Sequence, residues 1–416
     1  MTRILLVTTQ RWPFVARLAG AFSRLGCHVD AICPSAHVLA GMHVLRRHYP
    51  YRLHGTLPAL TASIADAAPD LILACDDTAI VRLCQLAQLL RQDPAGGAVA
   101  NCIERSLGNS ATCLQATRRG ELMVLAREEK IRIPETAAIH QLCEIGDLLS
   151  RTGLPAVVKS SGTFGGVGVA VVHSAAEAAT GFAAVHARPS WIRIIKRLIV
   201  NRDPSLLEQR RYGDLSDTIV QAFVPDSHPA NRAVACWQGE VLAGISVLAV
   251  ETAGATQPAT IVEVIEHPEM TDAAVKIVRR LGLSGFCGLD FMLTRDRRSA
   301  YLIEVNPRAT PISHLALGPG RDLPAAIVAR LQSTPTPETV AITSKNEIAL
   351  FPYAWLANPA NPRLQSAYHD VPWEDADLIH ACLAQPWREM SVWEKLRRGW
   401  RRPEQPALVP AGRFHV

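Results

Sequence analysis

Two groups of residues in this chain have the types and spacing to do chemistry. The first is Glu304-Val305-Asn306-Pro307-Arg308, with Asp290 upstream. Glu304 and Asn306 stand two apart in an apolar run, so extended backbone turns them to one side and Tyr301, Ile303 and Val305 to the other. Asp290 lies in a second apolar run, 285–293, and the polar turn 294–299 between the runs reads as an antiparallel hairpin. Two carboxylates and an amide on one sheet face are the hard oxygen donors that Mg²⁺ takes, its shell completed by phosphate oxygens and water. Without a cation, two carboxylates among such apolar neighbours would be costly. Arg308 follows at once and offers a fork of donors to a phosphoryl or carboxylate oxygen.

The second group begins at Lys159, which ends the apolar run Val157-Val158. Gly162, Gly165, Gly166 and Gly168 follow before 169–172 resumes as a strand. Glycines let successive backbone N–H groups turn toward one anion, and Lys159 adds a full positive charge beside them. The pattern suits a polyphosphate under a hairpin lid. It is not a Walker loop, since no Lys-Ser/Thr follows the glycines and a strand comes next. Taken alone, the segment also fits an ordinary tight turn with a solvated lysine.

These groups need a scaffold. Residues 3–7 read as a buried parallel strand, a helical pattern runs from Pro13 to Leu25 with Gly26 behind it, and 28–33 and 70–74 are further apolar runs. Alternating strands and helices imply a Rossmann-like parallel sheet over about residues 1–110. Thr8, Thr9, Gln10 and Arg11 stand where a dinucleotide fingerprint would be, so no dinucleotide site is expected there. Asp76 and Asp77 read as helix-capping residues. A helix from Arg118 to Lys130 leads into Ile133-Pro134-Glu135-Thr136 and a mixed region reaching 333. The stretch 333–338 reads as a linker, and the remainder ends in a basic segment, 395–402, with tryptophans interleaved.

Taken in order, these motifs resemble the ATP-grasp superfamily: Arg119 before its helix, Val-Val-Lys159 with the glycine lid, Ile219 to Val224, Gly-Leu-Asp290-Phe, and Ile-Glu304-Val-Asn306-Pro-Arg308. The resemblance implies an α/β and α+β protein. An N-terminal parallel-sheet domain (1–110) precedes a two-lobed ATP-grasp domain (111–333) with mostly antiparallel sheets, its lid lobe near 135–222 and its metal lobe near 223–333, and an extension (334–416) follows. It implies that Arg119, Lys159, Gly165, Gly166, Gly168 and Gln221 contact ATP, that Ala222 and Val224 offer backbone groups to adenine, that Asp290, Glu304 and Asn306 hold Mg²⁺ (Mn²⁺ as the alternative), and that Lys159 and Arg308 act on the transferred phosphoryl group. Arg119 stands where the family usually has lysine, and Gln221 where it usually has glutamate. Asp226, the one candidate for a ribose-binding acid, reads better as a turn residue. His314, Gly318, Gly320, Arg321 and Asp322 either line the substrate side or form a loop ahead of a helix.

The implied activity is a ligase that converts a small-molecule carboxylate to an acyl phosphate and couples it to an amine or related nucleophile. The alternatives are a bicarbonate-phosphorylating enzyme of the carbamoyl-phosphate synthetase or carboxylase kind and a non-catalytic ATP-binding regulator. The net charge of +5 over 416 residues does not suggest nucleic-acid binding. No apolar run spans a bilayer and no signal peptide is evident, so a cytoplasmic location is expected, with a homodimer as the default assembly. Ten scattered cysteines without C-x-x-C spacing read as buried thiols in a reducing compartment.

Overall fold

The computed structural model describes residues 1–385 except 53–54, 93–95, 161–167, 202, 204, 213–217 and 255–257, with only the backbone of 211–212. Its first sheet is parallel: β1 (Arg3–Val7), β2 (His28–Cys33), β3 (Leu45–Pro50) and β4 (Leu71–Ala74), in the order β3-β2-β1-β4. Side chains alternate across a strand, and β1 uses both faces. Leu5 and Val7 enter one core, Ile4 and Leu6 another, which is why the run is apolar without interruption. The helix Phe14–Arg24 covers one face and closes at Gly26, whose φ of 74° suits glycine.

A small antiparallel sheet follows: β5 (Thr136–Ile139), β6 (Ala156–Ser160), β7 (Val169–Val172) and β8 (Thr218–Ala222), in the order β5-β8-β6-β7. Ala156 and Val158 of β6 enter its own core. Val157 and Lys159 therefore face the other way, into a cavity. The seven-stranded sheet contains β9 (Ser227–Trp237), β10 (Glu240–Thr252), β11 (Ala259–Ile265), β12 (Gly285–Thr294), β13 (Ala300–Asn306), β14 (Glu347–Leu350) and β15 (Tyr368–Asp370), in the order β13-β12-β9-β10-β11-β14-β15. All its pairings are antiparallel except β14 with β15. A parallel sheet followed by mostly antiparallel ones is the expected fold class.

The chain beyond 333 differs from the extension expected of it. Strand β14 pairs with β11 and buries Ile348 and Leu350 in the main core, so 347–370 completes the large sheet. Proline and tryptophan there disguised two short strands. The basic segment 395–402 lies outside the described residues.

The large sheet meets the N-terminal one at a fixed seam. The N–H of Ala309, one residue after Arg308, donates to the carbonyl of Ala74 at the end of β4 (3.1 Å). Asp76, two residues on, is fully buried and ties β1 to β4. Its carboxylate accepts from the Thr8 and Thr9 hydroxyls and from the N–H groups of Thr9, Gln10 and Ala79, at 2.5–3.2 Å. The polar stretch after β1 thus has a structural role.

Candidate active site

The cavity between the small sheet, the large sheet and the tips of β1 and β4 has a volume of about 490 Å³. Its lining includes Arg119, Lys159, Gln221, Ala222, Val224, Asp290, Glu304, Asn306 and Arg308. Residues spread over 190 positions of sequence therefore share one enclosure.

On the small sheet Lys159 is buried, and its Nζ donates to Gln221 Oε1 at 2.8 Å. Gln221 Nε2 donates to the Thr136 hydroxyl at 2.9 Å. Burial, then the charge of Arg119, pushes the Lys159 ammonium down to about 8. The neutral Gln221 leaves Lys159 without a carboxylate on its own sheet. Gly168 leads into β7 at φ 82°, with its carbonyl accepting from Ser160 N–H (3.1 Å). Gly165 and Gly166 lie outside the described residues. Ala222 and Val224 line the cavity, and the Ala222 N–H donates to the Glu135 carbonyl at 2.7 Å. Asp226 sits in a turn at φ 46° and does not line the cavity.

On the large sheet Asp290 pairs directly with Glu304 across β12 and β13. The next pair is Phe291 with Leu302, so Ile303 is an extra residue in a β-bulge. The bulge corrects the simple alternation. Leu302 and Val305 enter the core, and Ile303 lines the cavity beside Glu304. Burial, then the neighbouring Glu304, raises the Asp290 carboxyl. Burial would raise Glu304 too, but Arg119 and Lys159 outweigh it and hold it low. Arg119 Nη2 donates to Glu304 at 3.0 Å, and its Nη1 donates to the Ser160 carbonyl. The arginine therefore bridges the two sheets directly.

Asn306 Nδ2 donates to Asp290 at 2.9 Å and its Oδ1 accepts from Arg308 at 3.1 Å, so in this arrangement it bridges acid and arginine. Arg308 grips Asp77 through Nε (2.7 Å) and Nη2 (3.2 Å) and lies over the Trp12 ring at 5.2 Å. Capping alone does not describe Asp77. Asn231 carries no sequence signal: its Nδ2 donates to Asp290 at 2.7 Å, and its buried Oδ1 has no partner among the described residues. Its place became visible only when β9 aligned it with Asp290.

His314, Gly318, Gly320, Arg321 and Asp322 do not line the cavity. Asp322 caps the helix Leu323–Gln332, and His314 binds Asp370, so the segment is the loop ahead of a helix. Among the described residues no group of three or more His, Cys, Asp or Glu side chains is arranged for a metal. The paired acids Asp290 and Glu304 still fit Mg²⁺, which needs one or two carboxylates and would relieve the repulsion that raises Asp290. All ten cysteines are unpaired, and among the described residues no helix is long and apolar enough to cross a membrane.

Residues 127–311 match the family model of the ATP-grasp domain, and this part of the chain is an ATP-grasp domain, as the motifs implied. Over 212 residues the chain is 26% identical to the arginine-specific carbamoyl phosphate synthase large chain of Halalkalibacterium halodurans; the match covers 49% of this chain and 18% of that longer protein. In structure it is similar to the ADP complex of N5-carboxyaminoimidazole synthetase from Staphylococcus aureus (TM-score 0.58, 12% identity, 81% of this chain and 79% of that one). It is also similar to the biotin carboxylase from Campylobacter jejuni (0.58, 12%, 81% and 72%) and to the L-amino acid ligase from Bacillus licheniformis (0.51, 14%, 80% and 74%). At these identities the likeness is one of fold.

Proposed function

We propose that this protein is an ATP- and Mg²⁺-dependent ligase that activates a small-molecule carboxylate as an acyl phosphate and couples it to an amine or related nucleophile, releasing ADP and phosphate. One observation carries the reading: Lys159 on the small sheet and the Asp290–Glu304 pair on the large one open into a single cavity, with Arg308 beside the acids. The relatives named above supply the precedent of ATP-dependent ligation and carboxylation on this fold.

In this reading Gln221 to Val224 and Val157 flank the adenine, and Lys159 with the lid glycines Gly165, Gly166 and Gly168 receives the phosphates. Asp290, Glu304 and Asn306 would hold Mg²⁺, which neutralises phosphate charge when bound. Arg119, which donates to Glu304, would lie near the phosphates, and Glu304 would turn to the ion where one is bound. A carboxylate oxygen of the acid attacks the γ-phosphorus, the bond to the β-bridging oxygen breaks, and ADP leaves with the electron pair. Arg308, held rigid by Asp77, donates to the transferred phosphoryl group as its charge shifts. The amine nitrogen then attacks the acyl carbon, phosphate departs and the nitrogen loses a proton. No side-chain nucleophile is needed; positioning, charge and exclusion of water do the work. We further propose a cytoplasmic enzyme, with 1–110 and a second part that begins at 111 and takes in the strands of 347–370, and a homodimer as its assembly.

The test is ATP- and Mg²⁺-dependent hydroxamate formation from a library of carboxylic acids in hydroxylamine, which intercepts acyl phosphates, with Glu304→Gln as the blank. Hydroxamate above the blank is the expected result. ADP release driven by bicarbonate alone would move the assignment to bicarbonate phosphorylation, and nucleotide binding without turnover of any acid would make the protein a regulator.

A further inference from the structure

The cavity is chemically two-sided, and its second half has no role in nucleotide binding as read above. On the face of the large sheet that carries Glu304 and Asp290, strand register carries the row across the sheet, with a step of two residues along β10. Asp290 pairs with Asn231, Asn231 with Val247, and two residues along β10 Ala249 pairs with Val262, which pairs with Ile348. With strands about 4.8 Å apart, Val247 stands two strands, roughly 10 Å, from Asp290, and β14, which carries Leu350, is four strands away. The row therefore changes from charged to wholly apolar at Asn231. Trp12 and Ile312 face the same space, and Trp12 also carries the Arg308 guanidinium on its ring. Among the described residues, every charged one lining the cavity (Asp77, Arg119, Lys159, Asp290, Glu304 and Arg308) belongs to the phosphate corner.

We infer that the acid activated by this enzyme carries an uncharged, apolar side group, branched aliphatic or aromatic, which lies along Val247, Ala249, Val262 and Leu350 beneath Trp12 while its carboxylate meets Arg308. The inference rests on the ligase reading. A second carboxylate or an ammonium on the side group would be desolvated against this wall with no opposite charge beside it among the described lining residues. Apolar groups lose nothing there and gain the usual burial. The boundary is marked by Asn231, which lines the cavity between the acids and the wall and donates through Nδ2 to Asp290.

The hydroxamate assay distinguishes this proposal from the one beneath it. Compared at equal ATP, aryl- or branched alkyl-substituted acids are expected to exceed dicarboxylates and ω-amino acids in kcat/KM by about 100-fold or more, the scale of one unpaired buried charge. Dicarboxylates or ω-amino acids that match or outrun them overturn the inference and leave the ligase intact. No hydroxamate from any acid removes both. Ala249→Arg places a cation on the wall; it is expected to shift preference toward dicarboxylates by about tenfold or more while KM for ATP moves less than about twofold. Unchanged preference in an Ala249→Arg protein that still makes hydroxamate also overturns the inference. Ala249→Phe, which stays apolar, should raise KM for the bulkiest acids and spare the smallest.

Discussion

Asp77 and Arg308, 231 residues apart, form a two-pronged ion pair across the seam between the N-terminal sheet and the large sheet. Asp77 opens the helix that follows β4, and Arg308 follows β13. The guanidinium is fixed on one edge by Asp77 and on one face by Trp12, and it reaches Asn306 with Nη2. A fixed donor needs no reorganisation when charge develops on a transferred group.

Asp77→Asn keeps the side chain's size and removes its charge. Turnover is expected to fall about 10–100-fold, the usual effect of losing a partner that orients an active-site group. In the proposed arrangement the equilibrium Kd for ATP should change less than about threefold, because Arg308 acts chiefly on the γ-phosphoryl group as it transfers, while Lys159 and residues 221–224 take the rest of the nucleotide. Nucleotide titration beside steady-state kinetics separates the two quantities, and an unchanged kcat would show that Arg308 does not need Asp77.

Lys159 titrates within reach of ordinary assays because burial and Arg119 push it down to about 8. Bound phosphates raise it again, since opposite charge favours the ammonium. Above pH 8, ATP binding must therefore take up a proton, and affinity weakens as pH rises; at about pH 6.5 the lysine is already charged and its uptake vanishes. Calorimetry in buffers of different ionisation heat reads this directly. Gln221→Glu sets a carboxylate within 2.8 Å of Nζ, so its uptake at about pH 8.5 should disappear. Persistent uptake in that variant would point to another group.

Gly288 sits two residues before Asp290, and a Cβ there would lie 2.3 Å from Thr310 Cγ2, in the loop after Arg308. Gly288→Ala should cost about 1–3 kcal/mol of stability through overpacking and reduce turnover by displacing that loop. Thr310→Ser removes the clashing methyl and keeps the hydroxyl contact with Ser313. The double variant is expected to regain most of the lost thermal midpoint and activity. If it is no better than Gly288→Ala alone, the clash is not the cause.

What could be read from sequence follows the range of the signal. Glu304, Asn306, Asp290 and Lys159 announced themselves because strand periodicity and a local glycine loop fix their surroundings within ten residues. The parallel sheet was legible for the same reason, since uninterrupted apolar runs report burial on both faces. Ile303 was misplaced because a bulge leaves no mark in the pattern of residue types. Asn231 and Asp77 were hidden because their roles come from partners 59 and 231 positions away. The last two strands were missed because they are four and three residues long, too short for a period to show.

Strand β15 also supplies the buried Asp370, which accepts from Arg17 at 2.6 Å and binds His314 Nε2 at 2.7 Å. The carboxylate thereby ties the first helix, the loop beyond Arg308 and the end of the chain's core into one unit. Burial pushes the Asp370 carboxyl up, but His314 and Arg17 outweigh it and hold the group below its ordinary value. The sign follows: a depressed carboxyl contributes stability above its unfolded value, near 3.8, and loses it as pH falls through the folded one. Asp370→Asn leaves Arg17 buried without its counter-charge, which should cost about 3–5 kcal/mol at neutral pH. Thermal melts from neutral pH downward should show the wild-type advantage shrinking below about pH 4 as Asp370 takes its proton. A gap that stays constant to the lowest pH would mean that packing around the side chain, rather than its charge, holds the three elements together.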